Sequence, residues 1–146
     1  MWNRTLAVNL TGAFLTIKHT IPLLRAAANG SLILCGSPTG LTMSGGGYAA
    51  YSASKAGMMS LARTVAADYA ADGIRANIIV PGTTRTPLIA ALLEDPARRA
   101  ALLAGTPIGR LGTSEDLTGI AVYLASDESR YATAATFTVD GGLTQR

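Results

Sequence analysis

The chain has 146 residues, enough for one domain, and 49% of them are hydrophobic, which excludes a disordered polymer. Its net charge of +3 is spread along the chain without a basic stripe, which argues against a nucleic-acid surface despite twelve Lys and Arg residues. The apolar runs are strand-sized and interrupted, which excludes a membrane span or a signal peptide and predicts a soluble, cytoplasmic protein.

Apolar residues recur at Leu6, Leu10, Phe14, Ile17, Ile21 and Leu24, a spacing that predicts a helix from Asn3, its expected N-cap, to about Ala28. Asn29-Gly30 ends it. Ser31-Leu32-Ile33-Leu34-Cys35 then reads as a strand buried on both faces, as in a parallel sheet. Cys35 is the only cysteine, so no intrachain disulfide or cysteine-cluster metal site can form, and its apolar run predicts a buried, inert thiol. Gly36 to Gly47 reads as a loop. A second long helix is expected from about Tyr48 to Ala71, with Ala50, Ala53, Gly57, Leu61 and Val65 on its packing faces and Tyr48 as a packing residue. Asp72-Gly73 stops it, and Arg75 to Val80 is the next strand, closed by Pro81-Gly82. Short helices are expected around Pro87 to Leu93 and Pro96 to Leu103. A longer one follows Ser114, with Glu115 and Asp116 suited to its positive end. Ala135 to Val139 is the last strand. Alternation of this kind predicts an α/β fold with a parallel sheet and right-handed crossovers.

The chemistry concentrates at Tyr51 and Lys55. Four residues apart on a helix, they share a face. A free phenol titrates near pH ~10 and is a poor proton donor or acceptor at neutrality, but a cation within a few ångströms favours the phenolate. This is a proton-transfer device, with Ser37 fourteen residues upstream. A Ser-His-Asp hydrolase would need His19, the only histidine, which lies mid-helix without a partner motif. Gly45-Gly46-Gly47-Tyr48-Ala49-Ala50 fits the spacing of a dinucleotide fingerprint, but such a fingerprint must follow a strand directly. A flexible loop beside the site explains these glycines better.

Further pieces fall in line with this pair. They are Val8-Asn9-Leu10-Thr11-Gly12, Gly36-Ser37-Pro38-Thr39-Gly40, Tyr51-Ser52-Ala53-Ser54-Lys55-Ala56-Gly57 and Gly73-Ile74-Arg75-Ala76-Asn77. Pro81-Gly82-Thr83-Thr84-Arg85-Thr86, Tyr123-Leu124-Ala125-Ser126-Asp127 and Val139-Asp140-Gly141-Gly142 complete the series. In that order, over essentially the whole chain, they resemble the C-terminal portion of the short-chain dehydrogenase/reductase family. The resemblance implies a partial Rossmann-like, doubly wound parallel sheet: the second half, with three strands and flanking helices. Residues 1–146 would be the C-terminal catalytic part of a single NAD(P)-binding domain.

The resemblance also implies an oxidoreductase that moves a hydride between NAD or NADP and an alcohol or ketone. Tyr51 would be its acid/base and Lys55 would tune that phenol and bind the nicotinamide ribose. Ser37 would hold the substrate oxygen together with Tyr51, and Asn9 would anchor a water that links Lys55 to solvent. Pro81, Gly82, Thr84 and Thr86 would meet the nicotinamide end of the cofactor. The segment from about Thr86 to Thr106 would cover the substrate, with Leu88, Ile89, Leu92 and Leu93 as apolar contacts. No metal is implied, and the two long helices would form a dimer or tetramer. Ala134 stands where the family places glycine, so the turn before the last strand is expected to differ slightly.

The glycine-rich strand-turn-helix of the family's N-terminal half has no counterpart in these residues. The strand at Leu32 also carries no charge or proline to guard an open edge. The expectation is therefore a fragment, with Met1 an internal methionine of a longer frame. The competing reading is a truncated, inert chain that acts at most as an interaction module. A third, the epimerases and dehydratases that share the Tyr–Lys spacing, is disfavoured by the Pro-Gly and Asp-Gly-Gly segments.

Overall fold

The computed structural model describes residues 1–27, 29–42 and 45–145. Three strands, β1 (Ser31–Cys35), β2 (Arg75–Pro81) and β3 (Thr136–Val139), form one parallel sheet in that spatial order. Ser31 to Cys35 lie opposite Arg75 to Ile79, and Ile78 to Pro81 opposite Thr136 to Val139. Parallel neighbours need crossover connections, and helices supply them, so the expected α/β alternation is what the chain forms.

The central strand carries the core. Ala76, Ile78 and Val80 are fully buried, as a parallel strand covered on both faces requires. Its buried polar member, Asn77, is satisfied on both sides. Its Nδ2 donates to Ala132 O at 2.7 Å, and its Oδ1 accepts from Ala135 N at 3.1 Å. These bonds hold the chain where it turns into β3, at Ala134, whose φ is +56°. Alanine there adopts a left-handed turn that glycine would take freely.

One face of the sheet is covered by the two long helices. The first comprises α1 (Trp2–Leu6), a π-helical turn (Ala7–Thr11) and α2 (Gly12–Ala26), with helical backbone throughout. Two expectations change here. Met1, not Asn3, takes the N-cap position, so Asn3 lies inside the helix, and the π turn interrupts the 3.6-residue spacing. The expected end at Ala28 lies outside the described residues. Ile17 and Ile21 enter the core with Val65, Ala66, Ile74 and Ala76, whereas Phe14 stays half exposed.

The second is α3 (Ala49–Asp68), followed by a short turn at Ala70–Asp72 and Gly73. Its buried face is Ser54, Met58, Met59, Ala62, Val65 and Ala66, with Met59 and Ala62 against Ile78 and Val80. Of the expected packing positions Ala50, Ala53, Gly57, Leu61 and Val65, Val65 is buried, Leu61 packs on the core and Gly57 faces Leu10, whereas Ala53 is exposed. A helix wedged between a sheet and another helix has two packing faces, and small residues allow the closer helix approach. Tyr48 is 53% exposed and is not a packing residue.

On the other face lies α6 (Glu115–Ala125). Arg75 reaches across from β2 to its C-terminal end, donating to Leu124 O at 3.2 Å, Ser126 O at 3.3 Å and Ser129 Oγ at 2.8 Å. Ser31 Oγ adds a bond to Leu124 O at 2.6 Å. A guanidinium there satisfies orphan carbonyls and meets the negative end of the helix. Side chains alternate along a strand, so Cys35 shares this face with Ser31, but at the far end of β1. β1 is the edge of the sheet, and Cys35 is exposed there, not buried as its apolar neighbours implied.

Between β2 and α6 lie α4 (Ala90–Leu93), preceded by a turn at Pro87–Ile89, and α5 (Pro96–Ala104), capped by Asp95. Leu88 is 92% exposed, while Ile89, Leu92 and Leu93 are partly covered. No helix among the described residues is long and apolar enough to cross a membrane.

Candidate active site

In open parallel sheets, ligands bind beyond the carboxyl ends of the strands. β1 continues one rung past Cys35, where Gly36 N donates to Ile79 O at 2.8 Å, and then releases Ser37. Ser37 is buried and opens a short turn at Pro38–Gly40, its Oγ accepting from Thr39 N at 3.4 Å and lying 3.2 Å from Thr39 Oγ1. A Cβ on Gly40 would lie 3.0 Å from Ala56 N and 3.1 Å from the Lys55 carbonyl carbon. Glycine thus lets the Ser37 turn rest directly on the backbone of α3 at Lys55.

Tyr51 and Lys55 occupy the first turns of α3. Lys55 Nζ stands 5.8 Å from the Tyr51 ring centroid and donates to Cys35 O at 2.8 Å. One ammonium therefore ties the end of β1 to the Tyr51 face of the helix, and two of its three donors remain for a ligand. Asn9 sits in the π turn and reaches the same helix by another route. Its Nδ2 donates to Ser54 Oγ at 3.0 Å, and Ser54 Oγ donates to Tyr51 O at 2.7 Å. Sequence reasoning passed over Ser54; its signal was a small polar residue one position before Lys55, on a helix that must bury a face.

The other candidates follow β2. Pro81 pairs with Val139, and Gly82 N donates to Val139 O at 3.0 Å. Thr84 Oγ1 donates to Gly82 O at 3.0 Å, and Thr84 pairs with Gly112 in an isolated parallel bridge. Thr86 is exposed and starts the turn at Pro87–Ile89. A cavity of about 130 Å³ opens here, lined among others by Gly82, Thr84, Thr106, Arg110, Asp116 and Asp140. Asn9, Ser37, Tyr51 and Lys55 do not line it. The structure thus gathers Ser37, Tyr51, Lys55 and Asn9 around the start of α3, and places Gly82 and Thr84 at the recess beyond the end of β2. Gly45 to Gly47 lie in the connection leading to α3; the part of that connection at Met43 and Ser44 lies outside the described residues.

The acidic groups of the recess are pinned as anions. Arg110 makes a fork on Asp116, Nη1 to Oδ2 at 2.7 Å and Nη2 to Oδ1 at 2.8 Å, and Thr113 N adds a bond at 2.8 Å. The fork, and then the Thr113 amide, hold the Asp116 carboxyl well below the usual carboxylate range. Burial pushes the Asp140 carboxyl up, but the Thr144 hydroxyl and the amides of Thr144 and Gly142 outweigh it, and the net direction is down. Neither acid is poised to give up a proton near neutrality.

Residues 1–144 match the family described as enoyl-(acyl carrier protein) reductase. The chain is 40% identical over 151 residues to 2-(S)-hydroxypropyl-CoM dehydrogenase 3 of Xanthobacter autotrophicus, covering 98% of this chain and 57% of that protein. It is 37% identical over 142 residues to the 3-oxoacyl-acyl-carrier-protein reductase FabG of Escherichia coli, covering 97% and 57%. A gluconate 5-dehydrogenase from Burkholderia cenocepacia, solved in complex with NADP and tartrate, superposes with a TM-score of 0.94 at 34% identity. That match covers 99% of this chain and 56% of the solved one. The chain therefore spans little more than half the length of these relatives.

Proposed function

The chain belongs to the short-chain dehydrogenase/reductase family, and on that premise we propose that it moves a hydride between NAD or NADP and an alcohol or ketone, with Tyr51 as acid and base. The observation that carries this reading is the Lys55 ammonium, held by Cys35 O and standing beside the Tyr51 ring at the carboxyl end of the sheet. When bound, the nicotinamide would supply or accept the hydride. In reduction, Tyr51 gives its phenolic proton to the carbonyl oxygen as negative charge grows there; in oxidation, it takes the proton from the alcohol. Ser37 donates its hydroxyl to the same oxygen. Lys55 offers its two remaining donors to the ribose, and Asn9 anchors the water that returns protons from solvent.

The donor set fits the nicotinamide end of such a cofactor: Lys55 beside Tyr51, with Pro81, Gly82, Thr84 and Thr86 beyond β2. Among the described residues no glycine-rich turn joins a strand directly to a helix, so the fit does not extend to the pyrophosphate. On this reading residues 1–146 are the C-terminal catalytic part of one Rossmann-like domain. A second copy would pack on the two long helices, where Leu10, Phe14, Gly57 and Leu61 line an open groove of about 480 Å³. Sedimentation of the purified chain tests that contact, and a monomer at micromolar concentration would refute it.

The second reading, an inert chain, draws support from the open edge at β1. Titration with NAD(H) and NADP(H), followed by nicotinamide fluorescence and carbonyl turnover, separates the two. Saturable binding with turnover that Tyr51→Phe lowers by about 10²- to 10⁴-fold supports the enzyme. Absence of both supports the inert chain.

A further inference from the structure

Ser54 is fully buried and touches two of the residues assigned above, yet it has no part in the proton chemistry itself. A serine hydroxyl has a single proton. Here that proton goes to Tyr51 O at 2.7 Å, the shorter of its two contacts. Toward Asn9, 3.0 Å away, Ser54 Oγ can therefore only accept, and the Asn9 amide must turn its NH₂ to Ser54. The carbonyl oxygen of Asn9 is thereby directed away from Ser54. An asparagine amide is otherwise nearly symmetric in shape and could sit either way round, so the direction of the serine bond settles the assignment.

The same bond spans two elements. Asn9 lies in the π turn, whose wider register the α-helical segments on either side do not impose. Thr5, Thr16, Thr20 and Thr64, which also lie in the long helices, bond to a carbonyl four residues back in the chain. Ser54 also accepts from outside its helix. Removing its oxygen would leave the Asn9 NH₂ without this partner at a part-buried position.

We propose that Ser54 is a positioning residue: it sets the direction of the Asn9 amide and couples the π turn to the helix that carries Tyr51 and Lys55. Its catalytic consequence rests on the function proposed above; the structural claim does not.

The test uses the ¹⁵N-labelled 146-residue chain and the exchange of its four asparagine side-chain amides with water. Asn3 and Asn29 are exposed references, and Asn77, fully buried and bonded to Ala132 O, reports an intact core. Wild-type Asn9 should exchange about tenfold more slowly than Asn3. Ser54→Ala should bring it to the rate of Asn3 and Asn29 while Asn77 stays protected. If Ser54→Ala unfolds the chain, as loss of Asn77 protection would show, Ser54→Cys keeps the volume, offers a poor acceptor and should give the same release of Asn9. Unchanged protection of Asn9 in a folded variant overturns the proposal. Where the wild type turns over a ketone, Ser54→Ala should lower kcat about tenfold with the cofactor KM unchanged; an unchanged kcat removes the link to catalysis. A wild type without turnover refutes the proposed function and leaves the amide measurement to decide Ser54.

Discussion

Gly82→Ala tests whether the end of β2 is held as tightly as its packing implies. A Cβ there would stand 2.6 Å from Asp140 Cα, 2.8 Å from Asp140 O and 2.9 Å from Asp140 Cβ, and the first two are backbone atoms. Ordinary contact begins at 3.4 Å, so the strand ends must part by about 0.8 Å. They cannot do so freely, because Gly82 N donates to Val139 O at 3.0 Å across the same pair of strand ends. Overpacking of this kind costs about 1–3 kcal/mol, and a weakened hydrogen bond adds about 1. The reduced freedom of the unfolded alanine chain returns about 0.4–1 kcal/mol. The net expectation is a loss of about 1–3 kcal/mol, or about 2–12 °C in Tm for a chain of this size. Gly119→Ala is the matched control: it lies inside α6 with nothing within 4 Å of a Cβ, and helix propensity predicts a gain of about 0.5–1 kcal/mol. Urea unfolding with m-values compared reads both. A Gly82→Ala midpoint at or above wild type, or an equal fall for Gly119→Ala, would refute the packing argument.

Three other outcomes follow from the same structure. Arg75→Met should destabilise by about 2–3 kcal/mol in urea, because the carbonyls of Leu124 and Ser126 lose their charged donor. Arg75→Lys should recover only part of that, since an ammonium lacks the fork; full recovery would show that charge alone matters. Ala134→Gly should stabilise by about 0.5 kcal/mol: it relieves a left-handed alanine at a small entropic cost in the unfolded chain, and a lower Tm would contradict the strain. Asp116 and Asp140 have native pKa values below the unfolded value of about 3.9, so their contribution is complete above about pH 4 and lost as pH falls through the native values. Urea midpoints between about pH 6 and 2.5 should fall accordingly, and Asp140→Asn should flatten part of the slope.

Much of this was legible in local pattern. The apolar runs at Leu32 and Ile78 became strands because each is short, continuous and bounded by glycine or proline. The i,i+4 placement of Tyr51 and Lys55 needs only a helix, and the helix formed. The boundaries at Gly73 and Pro81 followed from backbone chemistry that does not depend on neighbours. What failed depended on distant partners. Cys35 reads as buried from its neighbours, but its exposure is decided by where β1 sits in the sheet. The face that α3 buries is set by the sheet and the π turn together, so Ser54 is buried and Ala53 is not.

By itself, then, the amino-acid order determined the alternation of helices and strands, the parallel class, and the pairing of a phenol with an ammonium on one helical face. These are consequences of period and spacing within a few residues. Only the tertiary structure decided that the ammonium is held by Cys35 O, that Asn9 meets α3 through Ser54, and that Gly82 and Thr84 line a recess with Arg110 and Asp140. Each of those joins residues 20 or more positions apart, or sets the distance between two strand ends. Such distances follow from how helices pack on a sheet, which no local pattern encodes.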